Sequence, residues 1–106
     1  MTINNLYKNI SQFLADELFE TIINNDSFHL ERIVSVGHST ALEQWYDQEK
    51  TEWVILLKGA AGIRFEDSDK IFELNPGDYL QINAHCKHRV EWTSPDEETV
   101  WLALHF

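Results

Sequence analysis

From Phe28 onward, apolar and polar residues alternate with a period of two. Val34 and Val36 stand against Ile33 and Ser35, and Ile63 and Phe65 stand against Arg64 and Glu66. Phe72 and Leu74 flank Glu73, and at the C-terminal end Val100, Leu102, Leu104 and Phe106 share one face against Trp101, Ala103 and His105. This spacing predicts β-strands, because successive side chains of a strand point to opposite faces. Residues 15–24, ADELFETIIN, have a different pattern. Leu18, Phe19, Ile22 and Ile23 lie at helical spacing behind acidic residues that suit a helix N-terminus, so a short helix is predicted there, stopped by Asn24, Asn25 and Asp26.

Turn-forming clusters separate the strand runs: Glu66-Asp67-Ser68-Asp69, Asn75-Pro76-Gly77-Asp78, Asn83-Ala84 and Ser94-Pro95-Asp96. Such a chain reads as about eight short strands joined mostly by hairpins, and it must close or cover its sheet edges. The expected fold is all-β, a sandwich or barrel with a short N-terminal helix. Residues 1–27 form an N-terminal segment packing on the barrel, and residues 28–106 form the barrel domain.

Length and charge narrow the classes of function. The 106 residues suffice for one hydrophobic core. Eight basic residues against 18 acidic ones give a net charge of −10, which repels a nucleic-acid backbone. No stretch approaches the ~18 apolar residues of a membrane span, and the first ten residues lack the pattern of a secretion signal, so a cytoplasmic protein is expected. The single cysteine, Cys86, allows no internal disulfide and is expected to be a small packing residue. No hydrolase triad, glycine-rich phosphate loop or organic-cofactor motif is present.

From Trp45 to Phe106 the sequence resembles small single-domain cupins. Glu52 and Gly59, in EWVILLKG, fit the second half of that family's first motif, and Gly77 to His88, GDYLQINAHCKH, fits the spacing of its second. Asn83 stands where the family has proline, His85 where it has glycine, His88 at its histidine and Trp92 at its asparagine. The HxH pair of the first motif is missing: its positions fall on Trp45 and Asp47, or on Tyr46 and Gln48 with the shorter gap. The resemblance implies a double-stranded β-helix, or jelly-roll, barrel. It also implies a homodimer formed through strand edges, for which the apolar final strand is suited.

Two readings of the site follow from the resemblance together with Glu52, a carboxylate sharing its strand face with Val54 and Leu56. Burying it is costly unless it is paired, protonated or metal-bound. In the first reading Asp47, Glu52 and His88 hold a divalent ion (iron, manganese, nickel or zinc) beside a small-molecule substrate, and Tyr46 or His85 transfers protons in a dioxygenase- or isomerase-type reaction. In the second, Glu52 pairs directly with His88 or Tyr46, with no ion, in a ligand-binding or accessory protein. His29, His38 and His105 carry no motif, and the four tryptophans either line a pocket or fill core.

Overall fold

The computed structural model describes residues 1–10 and 16–106. Eight antiparallel strands follow one another: β1 (Leu18–Asn24), β2 (His29–Ser35), β3 (Glu52–Lys58), β4 (Ala61–Phe65), β5 (Ile71–Leu74), β6 (Tyr79–Ile82), β7 (His88–Thr93) and β8 (Thr99–His105). They form a five-stranded sheet in the order β1-β2-β8-β3-β6 and a three-stranded sheet in the order β5-β4-β7. The alternating runs around Val34, Ile63, Phe72 and Leu102 all fall in strands, as their period requires.

The predicted helix over 15–24 is not there. Residues 18–24 are strand β1, paired with β2 from Leu18↔Val34 to Asn24↔His29, with a register shift between Thr21 and Ile23; Ala15 lies outside the described residues. The helical spacing of four apolar residues was overridden by two features. Thr21, Ile22 and Ile23 are β-branched and favour extended backbone, and a helix of so few residues has little stability of its own, whereas β2 offers a free edge with ladder hydrogen bonds. Among the described residues there is no helix, hence none long and apolar enough to cross a membrane.

The turns follow their local chemistry. Between β5 and β6, Asp78 accepts a hydrogen bond from the Asn75 amide at 2.7 Å through its carboxylate, and Gly77 takes a φ of 95°. The Gly77 amide donates to the Leu56 carbonyl at 2.7 Å, and the Leu56 amide donates to Asp78 O at 3.0 Å, so the turn is tied to β3. Between the sheets lies a core in which Val54, Leu56, Ile63, Leu74, Ile82 and Trp101 pack with Ala61 and Ala103. On the other face of the five-stranded sheet, the buried Arg32 donates to the carbonyls of Leu6 (3.1 Å) and Lys8 (2.7 Å) and pairs with Glu20, which fixes the N-terminal residues against β2.

Candidate functional site

The two sheets leave a cavity between them at one end of the core. On the measure by which a water occupies roughly 10–15 Å³, its volume is about 60 Å³. Strand parity decides which side chains reach it. Glu52 and Val54 enter from β3, Glu31 and Ile33 from β2, Trp101 and His105 from β8, and His88 and Val90 from β7. Tyr46 and Gln48 enter from the loop before β3, and Glu17 and the half-exposed Phe19 stand by β1.

Glu52 and His88, the two matched chemical positions, are brought together: both are buried, with Oε1 3.6 Å from Nε2. That is an ion-pair distance, too long for a good hydrogen bond. The other ring nitrogen explains the geometry. His88 Nδ1 lies 2.9 Å from the Cys86 carbonyl, which can only accept, so Nδ1 carries a proton. Nε2 then faces the Glu52 carboxylate, so the pair is completed by a proton on Nε2 or by a donor from a bound molecule.

Tyr46 is held beside this pair by the backbone. Its amide donates to the His88 carbonyl at 2.8 Å, the His88 amide donates back at 3.1 Å, and the two rings lie 5.6 Å apart at 29°. Burial, and then the charges of Glu17, Glu52 and Glu31, push the Tyr46 phenol above its ordinary value of 10.0, against a weaker opposing hydrogen bond with Thr40. The phenol therefore stays protonated and acts as a donor.

Asp47 is not part of this cluster. Its Oδ1 lies 2.8 Å from Nδ1 of His85, and both side chains are exposed. His85 adopts a φ of 62° in the turn before β7, with its amide on the Gln48 carbonyl at 2.8 Å. So of the sequence candidates, Tyr46, Glu52 and His88 meet in the cavity, while Asp47 and His85 bind each other outside it. Of the two alignments for the missing histidine pair, Tyr46 and Gln48 are the residues that face inward. Cys86, expected to pack, is exposed.

Three lining residues carried no sequence signal strong enough to single them out. Glu31 takes a 3.0 Å contact from His29 Nε2 and a 3.7 Å ion pair from His105 Nε2. Burial raises its carboxyl, but His105 and then His29 outweigh this and hold it below its usual value. His105 is correspondingly raised, chiefly by Glu31. Glu17 accepts from the Ser35 hydroxyl, and burial dominates to raise its carboxyl. Parity was the available clue: Glu31 alternates in phase with Ile33, and His105 with Trp101.

The Glu31–His105 pair makes a pH prediction. A lowered carboxyl stabilises above its unfolded value of 4.5, and a raised imidazole stabilises below its unfolded value of 6.5. Their joint contribution is largest between those values and is lost as pH rises through 6.5 and above. Thermal melting followed across that range is expected to show a declining alkaline arm that Glu31→Gln flattens; an unchanged slope in the variant would contradict the pairing.

The sequence profile of the cupin domain matches residues 31–105. The chain belongs to the cupin family. This cupin is 38% identical to a provisionally named mannose-6-phosphate isomerase of Ralstonia eutropha, whose crystal structure superposes with a TM-score of 0.94 over 99% of this chain and 97% of that one. It is 34% identical over 65 residues to L-ectoine synthases of Rhodococcus opacus and Rhodococcus jostii; the match covers 61% of this chain and spans 46% of theirs. A polyketide cyclase of Streptomyces resistomycificus shares the fold at 21% identity, with a TM-score of 0.73 over 86% of this chain and 65% of that one.

Cupins commonly hold a metal, and two of this cupin's residues fit one: Glu52 and the Nε2 lone pair of His88 face each other as ligands would. The remaining positions do not fit. A protonated phenol and a carboxamide stand where the family has histidines, and no group of three His, Cys, Asp or Glu able to hold a metal exists among the described residues.

Proposed function

We propose that this cupin binds a small organic molecule between its sheets without a metal, and that Glu52 and His88 act on it as an acid–base pair with Tyr46 as a fixed donor. The observation that carries this reading is the buried face-to-face placement of His88 Nε2 and Glu52 Oε1 at 3.6 Å in an otherwise largely apolar cavity. A carboxylate and an imidazole nitrogen in that position share a proton or receive a donor from a ligand. Trp101 lines the same cavity, and its indole N–H is buried with no hydrogen-bond partner among the described residues, a donor that a water or an acceptor within reach would complete.

The chemistry available is proton transfer. With one proton on the Glu52–His88 pair, its unprotonated member takes a proton from carbon or nitrogen of the bound molecule and its protonated member returns one to another atom, while the Tyr46 phenol donates a hydrogen bond, which is the minimum for an isomerisation or an intramolecular cyclisation. The names of the Ralstonia, Rhodococcus and Streptomyces relatives, an isomerase, synthases and a cyclase, are compatible with such a role. A metal-dependent reaction at Asp47, Glu52 and His88 is the competing reading, and it requires Asp47 to leave His85.

Ligand-observed NMR with a fragment library, in the presence of a chelator, tests the proposal. Fragments are expected to bind the wild type and to be lost at least tenfold in His88→Ala. Binding that vanishes on adding the chelator, or that is indifferent to His88→Ala, would overturn it.

A further inference from the structure

The outer face of the five-stranded sheet, away from the cavity, is apolar across four strands. Side chains of Cα partners in adjacent strands stand on one face, and the register sets them in two rows. Leu30, Leu104 and Trp53 run from β2 through β8 to β3 in one row, and Leu102, Ile55 and Tyr79 run from β8 through β3 to β6 in the next. Gln81 continues the first row and the buried Arg32 begins the second, so neither row holds a carboxylate in a chain with 18 acidic residues. None of the six apolar residues is buried. Tyr79 protrudes furthest: it is 66% exposed, with its ring 5.5 Å from that of Trp53. At the opposite flank a groove of about 600 Å³ lies between the N-terminal residues and the sheet, lined by Leu30 and Leu102 and by Asn4, Asn5 and Asn9. Because β8 lies between β2 and β3, the apolar final strand offers this face and not an edge.

We propose that this face binds a second copy of the chain about a two-fold axis, with Tyr79 of each copy seated in the groove of the other. Charge selects the occupant. A second copy carries the same net charge of −10, so two copies approach closely only through a face without carboxylates, and the two rows are such a face. A basic partner would find no carboxylate in these rows to pair with. Shape gives the orientation. In the order β2-β8-β3-β6 the groove lies at the β2 end and Tyr79 on β6, so an axis normal to the sheet between β8 and β3 carries each Tyr79 onto the partner's groove and sets Leu102 and Ile55 against their copies. A groove of this volume lies in the range of pockets for drug-sized ligands and admits a phenol. The leucines meet the ring, and the asparagines supply partners for the hydroxyl. Two sheets packed face to face in this way bury apolar rows that a monomer leaves in water.

Sedimentation velocity at micromolar concentration, with Leu102→Glu and Tyr79→Ala alongside and folding checked by thermal melting, tests the association. The wild type is expected to sediment as two chains, Leu102→Glu as one, and Tyr79→Ala to dissociate at least tenfold more readily. The orientation is tested by disulfide trapping in a Cys86→Ser background. Asn4 and Tyr79 lie on opposite flanks of the sheet within one chain, so mixing the Asn4→Cys and Tyr79→Cys proteins under mild oxidation is expected to give the mixed disulfide dimer in preference to either symmetric one. A wild type that stays monomeric would overturn the proposal, and co-sedimentation of that monomer with phosphatidylcholine vesicles would assign the face to a lipid surface instead. A dimer indifferent to both Leu102→Glu and Tyr79→Ala would place the interface elsewhere and overturn it equally. A dimer broken by Leu102→Glu without the mixed disulfide would overturn the seating of Tyr79 in the groove.

Discussion

Gly59→Ala is expected to destabilise this cupin by about 4 kcal/mol, and Gly77→Ala by only about 1 kcal/mol, although both glycines occupy family-motif positions. Both have positive φ, 87° at Gly59 and 95° at Gly77, so each substitution carries the left-handed backbone cost of roughly 1–2 kcal/mol. What separates them is space. A Cβ on Gly59 would collide with the Thr99 hydroxyl, and it would stand 2.8 Å from Thr99 Cα and 2.9 Å from the Glu98 carbonyl, which are backbone atoms at the start of β8 and cannot swing away. Thr99 is fully buried. A Cβ on Gly77 would meet nothing within 4 Å among the described residues beyond its chain neighbours. At roughly 4–8 °C per kcal/mol for a domain of this size, melting should fall by roughly 15–30 °C in the first variant and by less than about 8 °C in the second. Equal shifts would contradict the account of why the β3–β4 turn needs glycine.

Glu52→Leu is expected to separate stability from function. The carboxylate is buried among Val54, Ile82 and Trp101 with an ion-pair contact to His88 longer than a hydrogen bond, so its desolvation is poorly offset. An apolar side chain of similar volume removes that cost, and His88 keeps its Nδ1 bond to the Cys86 carbonyl while its Nε2 loses the facing carboxylate. The removed desolvation cost and the lost contact to His88 oppose each other, so stability measured by denaturant titration should stay within about 1 kcal/mol of the wild type, while binding of any ligand that engages the acid–base pair falls at least 100-fold. A variant that loses stability by 2 kcal/mol or more would show instead that Glu52 is structural, completed by a partner that the pairing with His88 does not describe.

The strands were legible because a period of two is hard to produce by chance over several runs, and because each turn carried residues suited to reversal. The segment at 18–24 was misread for a physical reason: four apolar residues at helical spacing say nothing of the free edge of β2 that captures them. Glu52 and His88 were legible through motif spacing, and the structure brings them together. Asp47 was chosen over Gln48 by its chemistry, yet it is Gln48 that reaches the cavity, while Asp47 is exposed and bound to His85. Composition ranks a carboxylate above an amide as a ligand, but only the three-dimensional path of residues 45–48 decides which of two adjacent side chains enters. Parity placed Glu31 and His105 on inward faces, but that they meet each other, with Glu17 beside them, follows only from the pairing of β1, β2 and β8, which no local pattern marks.

Metal content tests the central claim most directly. The protein, purified without a tag, is analysed for elements as isolated, after chelation, and after titration with iron, manganese, nickel and zinc, beside Glu52→Leu and His88→Ala. A cavity that works through an acid–base pair predicts no stoichiometric metal in any of these states. Close to one ion per chain in the wild type, lost in both variants, would contradict it and return Glu52 and His88 to the role of ligands.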